Sequence, residues 1–222
     1  MKTNITELVF ILDKSGSMSG LEHDTIGGYN AMLRKQQEES GKARITTVLF
    51  SHDYEILHDQ TDIKEIKPMT AKQYQVGGST ALLDAVGATI HKIGNAQKYA
   101  KEELRADKVM VVITTDGMEN SSREYTYEKI KQMIERQKRR YEWEFIFLGA
   151  DIEAVAAAAK LGIEHDRAVN FHSDSEGTKL NYKVISEAVS TIRANKTISE
   201  DWKIEIETDY ENRGKSKKKY KG

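Results

Sequence analysis

Short apolar runs alternate along the chain with segments whose apolar residues recur every three or four positions. Residues 7–13 (ELVFILD) form a near-continuous apolar run closed by an acid. Its shortness and its β-forming side chains predict a strand buried on both faces, as in a parallel sheet. Residues 23–39 then place Ile26, Tyr29 or Asn30, and Leu33 on one helical face. Residues 44–51 (RITTVLFS) and 54–58 (YEILH) flank a Ser-His-Asp link, which predicts a hairpin and hence one antiparallel edge. Residues 62–74 are a link holding the only proline, Pro68. Gly77 and Gly78 open a helix over 79–93 with Leu82, Val86, Ile90 and Ile93 in step, followed by a polar extension over 94–107. Residues 108–114 (KVMVVIT) read as a second buried strand, again ending near an acid, Asp116.

The later pattern is similar. Residues 125–140 predict an amphipathic helix with Tyr127, Ile130, Met133 and Ile134 inward. Residues 143–148 (WEFIFL) predict a strand, 153–161 an alanine-rich helix, and 167–171 a weak last strand. A helix over 175–194 carries Leu180, Val184, Ile185, Val189 and Ile192. The alternation predicts the α/β class: a doubly wound, mostly parallel central sheet with one antiparallel edge strand and helices on both faces. Ligands of such sheets bind outside the carboxyl ends of the strands, where the strand order reverses. Beyond Ala194, Trp202, Ile204 and Ile206 alternate with Lys203, Glu205 and Glu207, which reads as an added edge strand. The charged stretch from Asp209 onward reads as disordered. The expected division is one domain over 1–196 and an extension over 197–222.

Composition narrows the chemistry. The 222 residues include no cysteine, which excludes disulfides, thiolate catalysis, zinc–cysteine sites and iron–sulfur clusters. Net charge is -1, but six of the 34 basic residues lie in 213–222 with no acid among them. The remaining 28 face 35 acids, so the body carries −7 and ends in a short basic tail. The apolar run at Leu8–Leu12 is shorter than a signal core of roughly 7–15 residues. No stretch approaches the roughly 18 apolar residues of a membrane span, so a cytoplasmic location with no membrane partner is expected.

The unusual polar residues fall at one sheet edge. The first strand runs out into Asp13-Lys14-Ser15-Gly16-Ser17-Met18, the second into Thr114-Thr115-Asp116-Gly117, and Gly77-Gly78-Ser79-Thr80-Ala81-Leu82 opens a helix between them. Three loops thus offer two carboxylates and several hydroxyls, a hard oxygen set suited to Mg²⁺ before Ca²⁺, with Mn²⁺ as a substitute. Taken singly each piece has a plainer reading. Ser15 and Ser17 could be turn and N-cap residues, Thr80 an N-cap and Asp116-Gly117 a turn. Asp13, at a buried strand end, is harder to dismiss, and the set in this order is harder still.

Asp13-x-Ser15-x-Ser17, then Thr80, then Asp116 within TDG resembles the metal-ion-dependent adhesion site of von Willebrand factor type A domains. The phrases LVFILDKSGSM, GGSTALLDA and VVITTDG stand in that family's order, and the likeness covers roughly residues 7–193. It is closer to the intracellular bacterial branch than to extracellular adhesion proteins. The resemblance implies that Ser15 and Ser17 bind the metal directly, that Thr80 binds directly or through water, and that Asp13 and Asp116 hold coordinated waters and fix the serines. One position is then left for an acidic side chain of a protein partner.

Other residues carry less. Lys14 reads as a solvated loop lysine, His52-Asp53 as a hairpin tip, and Glu119 and Asn120 as caps of the following helix, with Glu119 a candidate for the rim. Asp151 either borders the same edge or begins a helix. His165 and His172 lack a third ligand. The expected function is therefore a non-enzymatic, metal-dependent protein-interaction module, its partner by family analogy a subunit of an ATPase or stress-response assembly. The alternative is a Mg²⁺-dependent phosphoryl-transfer or hydrolytic enzyme. Against it stand the absence of a G-x-x-x-x-G-K-[ST] loop, Ser15 where aspartyl phosphatases carry a second acid, and no evident base for either serine. Nucleic-acid binding would rest on the tail alone and is not expected.

Overall fold

A computed structural model describes residues 4–150 and 153–219. Six strands form one sheet in the order β3-β2-β1-β4-β5-β6. They are β1 (Ile5–Asp13), β2 (Lys42–Phe50), β3 (Tyr54–Asp62), β4 (Lys108–Thr115), β5 (Glu144–Ala150) and β6 (Ala168–Phe171). All pairings are parallel except β2–β3. The helices are α1 (Glu22–Glu38), α2 (Leu82–Tyr99), α3 (Tyr127–Tyr141), α4 (Ala154–Lys160), α5 (Ser175–Arg193) and α6 (Ile204–Lys219). Among the described residues no helix is long and apolar enough to cross a membrane.

The central strand explains the two-layer packing. All nine residues of β1 are buried. Their alternation sends Leu8, Phe10 and Leu12 to the face covered by α1 and α5, while Val9 and Ile11 meet α2 and α3 on the other. Tyr29, Met32 and Leu33 of α1 and Tyr182, Ile185 and Val189 of α5 complete the first layer. Leu82, Val86 and Ile90 of α2 with Ile130 and Ile134 of α3 complete the second. Gly28 sets how closely α1 approaches α5, since a Cβ there would lie 2.3 Å from Tyr182 Cδ2. The link after β3 is packed: Ile63, Ile66, Met69 and Tyr74 are buried in the first layer.

Three expectations need correction. Residues 202–206 are not a strand: Glu200–Lys203 form a 3₁₀ turn and α6 follows directly. Trp202 and Ile206 stand four residues apart on one inward face, whereas Ile204 is 57% exposed, so the apparent two-residue alternation was a helical spacing. The stretch over 209–219, expected to be disordered, continues that helix. Tyr127 is 37% exposed at the start of α3 rather than turned into the core, and Met133 is only partly buried. Asp151 lies outside the described residues.

Candidate metal centre

Parallel pairing brings the carboxyl ends of β1 and β4 side by side, with Leu12 opposite Thr114. The chain leaves β1 for β2 on one side and β4 for β5 on the other, so the strand order reverses at this gap. Asp13 stands at the end of β1, 1% exposed. One of its oxygens accepts from the Ser15 backbone N–H at 2.7 Å, the other from Thr115 Oγ1 at 2.6 Å. Ser15 Oγ and Ser17 Oγ are 3.1 Å apart, and Ser17 Oγ donates to Asp116 Oδ1 at 2.5 Å. Asp13, Ser15, Thr80 and Asp116 are all buried, while Ser17 is exposed and marks the opening.

Loop-to-loop backbone bonds fix this arrangement. Gly16 N–H donates to the Gly78 carbonyl at 3.0 Å, and Gly77 N–H to that of Lys14 at 2.9 Å. Gly78 has φ +82, and a Cβ there would fall 2.5 Å from His52 Nδ1, so glycine suits both the turn and the close approach. A Cβ on Gly117 would meet Thr80 Oγ1 at 2.9 Å and Ser17 Oγ at 3.3 Å. Thr80 therefore converges with the serines although it lies on a third loop.

The plainer readings of the hydroxyls do not account for them. Ser15 precedes a 3₁₀ turn over Gly16–Met18 without making a side-chain cap. Helix α2 starts at Leu82 behind Ala81, also with no side-chain cap, so the Thr80 hydroxyl caps nothing. Glu119 and Asn120 hold this helix start rather than the following helix. Asn120 Oδ1 accepts from Thr80 N–H and Glu119 Oε2 from Leu83 N–H, each at 2.9 Å, while α3 is capped by Thr126. Lys14 is ion-paired with Glu55. His52 and Asp53 are exposed at the hairpin turn, and His165 is exposed and distant from the buried His172.

Electrostatically the cluster carries an excess of negative charge. Burial pushes the Asp13 carboxyl above the usual carboxylate range, against the hydrogen bonds from Ser15 and Thr115. Burial also raises Asp116, and the Asp13 charge raises it further. Among the described residues neither acid is paired with a Lys or Arg. Two buried acids, three convergent hydroxyls and no balancing cation are a donor set that fits a small hard divalent ion. Among the described residues no group of three or more His, Asp or Glu side chains is placed to hold a metal ion, so a site here would depend on the hydroxyls as well as on the two acids.

Three supporting residues escaped the sequence reading. Thr115 bonds Asp13, Ser173 Oγ donates to Asp116 Oδ2 at 3.3 Å, and the Tyr74 hydroxyl donates to the Asp13 carbonyl. Thr115 had a signal, because a parallel partner for β1 ending in TTD sets a hydroxyl across from Asp13. Ser173 and Tyr74 arrive from segments 57 and 61 residues away in sequence, and no local pattern marks them.

Known proteins share this architecture. The von Willebrand factor type A domain model matches residues 7–184. No curated protein sequence matches the chain. Among solved structures, the vWF domain of the type V pili tip protein Mfa5 from Porphyromonas gingivalis superposes with TM-score 0.63 at 10% identity, covering 87% of this chain and 98% of that one. A von Willebrand factor type A protein from Catenulispora acidiphila gives TM-score 0.57 at 13% identity, over 82% of this chain and 42% of that one. Proximal thread matrix protein 1 from the mussel byssus, solved with a zinc-occupied MIDAS motif, gives 0.55 at 12% identity, over 83% of this chain. The chain spans 45% of the length of that mussel protein. At these identities the likeness is one of fold, and the family model covers most of the sequence. The chain belongs to the von Willebrand factor type A domain family.

Proposed function

We propose that this domain is a non-enzymatic protein-interaction module that holds a divalent cation, Mg²⁺ or Mn²⁺, and grips an acidic side chain of its partner through it. The observation that carries this reading is the pair of buried, uncompensated acids joined through Ser15 and Ser17 and open to solvent at Ser17. Asp13 and Asp116 would fix the two serines and supply charge, and Ser15, Ser17 and Thr80 would offer neutral oxygens. With neutral hydroxyls as its direct protein ligands and the acids set behind them, an ion so held would keep an affinity for one further carboxylate. The mussel protein's zinc-occupied motif lends the reading a precedent within the fold. Neither serine hydroxyl bonds a His or Lys, which supports binding over nucleophilic chemistry.

Titration calorimetry tests the assignment. One Mg²⁺ or Mn²⁺ site per chain is expected, abolished in Asp13→Ala and in Asp116→Ala, and unchanged affinity in both variants overturns it. The double variant Ser15→Ala, Ser17→Ala should lose chelator-sensitive capture of the native partner while its circular dichroism stays that of wild type. Hydrolysis of nucleotides or phosphomonoesters that disappears in Asp13→Asn would reverse the non-enzymatic reading.

A further inference from the structure

Beside the site lies a surface cavity of about 110 Å³. Its floor is apolar, made by Leu82, Phe147 and Leu161, each at most 3% exposed. Its mouth carries two uncovered apolar side chains, Met118 at 72% exposure and Tyr127 at 37%. Gly117 belongs to both places. It lines this cavity, and its missing Cβ is what leaves room beside Thr80 Oγ1 and Ser17 Oγ. The charged lining residues leave the apolar floor free. The Glu119 carboxylate accepts from the backbone of Leu83, Ser121 and Ser122, and the Lys160 amine lies 5.8 Å from the centroid of the Tyr127 ring. Glu153 is exposed at the rim.

We infer that this cavity is the second half of the partner-binding surface and receives one aliphatic side chain, of Leu or Met size, that neighbours the partner's metal-bound acid. The inference rests on the metal reading above. Size selects the occupant: a cavity of about 150 Å³ holds one benzene ring, so this one admits a single side chain and not a helix face. Position selects it too. A chain whose carboxylate sits over Ser17 passes Gly117 within a residue or two, which puts its next apolar side chain at Met118. Exposed apolar groups at the lip of an apolar recess are the usual mark of a surface that is covered in use. The module would then read a short motif, an Asp or Glu with an aliphatic residue close by, instead of charge alone.

Labelled octapeptides test this by fluorescence anisotropy. Each carries one Asp with a single Leu one, two or three residues to either side, and each is matched by the same peptide with Gly in place of Leu. In Mg²⁺, one spacing should bind roughly tenfold or more tighter than its Gly control, the scale set by burying a Leu side chain. That advantage should vanish in Ala157→Trp, which fills the cavity, and fall several-fold in Met118→Lys at the exposed lip. In both variants the Mg²⁺ titration and the affinity for the Gly peptides should stay at wild-type values. If Leu and Gly peptides bind equally at every spacing but need Mg²⁺, the cavity assignment is wrong and the metal reading stands. A Leu advantage that survives chelation also overturns the inference, because the two halves then act separately. If Mg²⁺ binds in the titration but no peptide does, acid capture and cavity fall together. A silent Mg²⁺ titration removes the metal reading itself.

Discussion

At the scale of single residues, two kinds of buried acid behave differently. Asp13 and Asp116 repel one another across the β1–β4 gap, and Asp13 is one cause of the raised Asp116 titration. Asp116→Asn keeps the acceptor for Ser17 and deletes one charge. Its metal-free form should therefore melt no lower than metal-free wild type. Wild type at a hundredfold excess of Mg²⁺ over Kd should gain about 2.7 kcal/mol. That corresponds to roughly 5–10 °C for a domain of this size. The variant should gain little, and scanning calorimetry with and without EDTA compares the two. Glu7 sits on the same strand but far from the site, fully buried, with one oxygen accepting from Thr46 Oγ1 at 3.0 Å and the other unbonded. Arg44 approaches only to 3.6 Å. Burial pushes this carboxyl up to about 7. The folded state thus binds a proton that the unfolded state has released, so Glu7 costs stability as pH rises from its unfolded value through about 7. Glu7→Gln should remove that slope, narrowing by about 3 kcal/mol at most the loss between pH 4 and pH 8 seen in urea melts.

At the scale of elements, the strands were legible because burial on both faces leaves no polar interruption. Residues 7–13 and 108–114 fall within β1 and β4, and the acids closing them mark the carboxyl edge. The hairpin was legible from its link, and α2, α3 and α5 from their periodicity. What the sequence could not reveal was which loop serves which helix. Glu119 and Asn120 precede α3 in the chain but hold the start of α2, because the β4 loop folds back over the Thr80 turn. Trp202 and Ile206 failed for another reason: three apolar residues spaced by two fit both a strand and a helix when no fourth residue decides between them. The turn at Gly78 bears on the site directly. Gly78→Ala adds a Cβ to a left-handed residue, at about 1–2 kcal/mol. It also presses on His52 and displaces the Gly78 carbonyl that Gly16 N–H bonds. The expected outcome is a modest fall in Tm together with a several-fold weaker Mg²⁺ titration, whereas Gly20→Ala, which also has positive φ but open space around it, should lose stability alone.

At the scale of the whole molecule, the two sheet edges are treated differently. Strand β3 is largely solvent-exposed, whereas the four-residue β6 has α6 packed against it. Ile198 and Ile206 join the first core layer, and the Lys203 amine donates to the carbonyls of His165 and Ala168 at 2.7 and 2.9 Å. Truncation after Lys196 should therefore lower Tm by several degrees while far-ultraviolet dichroism keeps the signature of the sheet. Further along α6, the Tyr210 ring stacks on His172 at 4.6 Å and Arg213 Nη1 donates to Asp174 Oδ2 at 2.6 Å. The residue held between those two anchors is Ser173, whose hydroxyl reaches Asp116. Helix α6 is consequently a handle as well as a lid on the edge strand. A tether pulling on it would load the Tyr210–His172 stack and the Arg213–Asp174 bond first, and through them the β6–α5 turn that carries Ser173 and its bond to Asp116. An optical trap that pulls the domain through residue 214 should therefore register a lower rupture force for the first event in Arg213→Ala than in wild type, with the main unfolding force of the sheet unchanged.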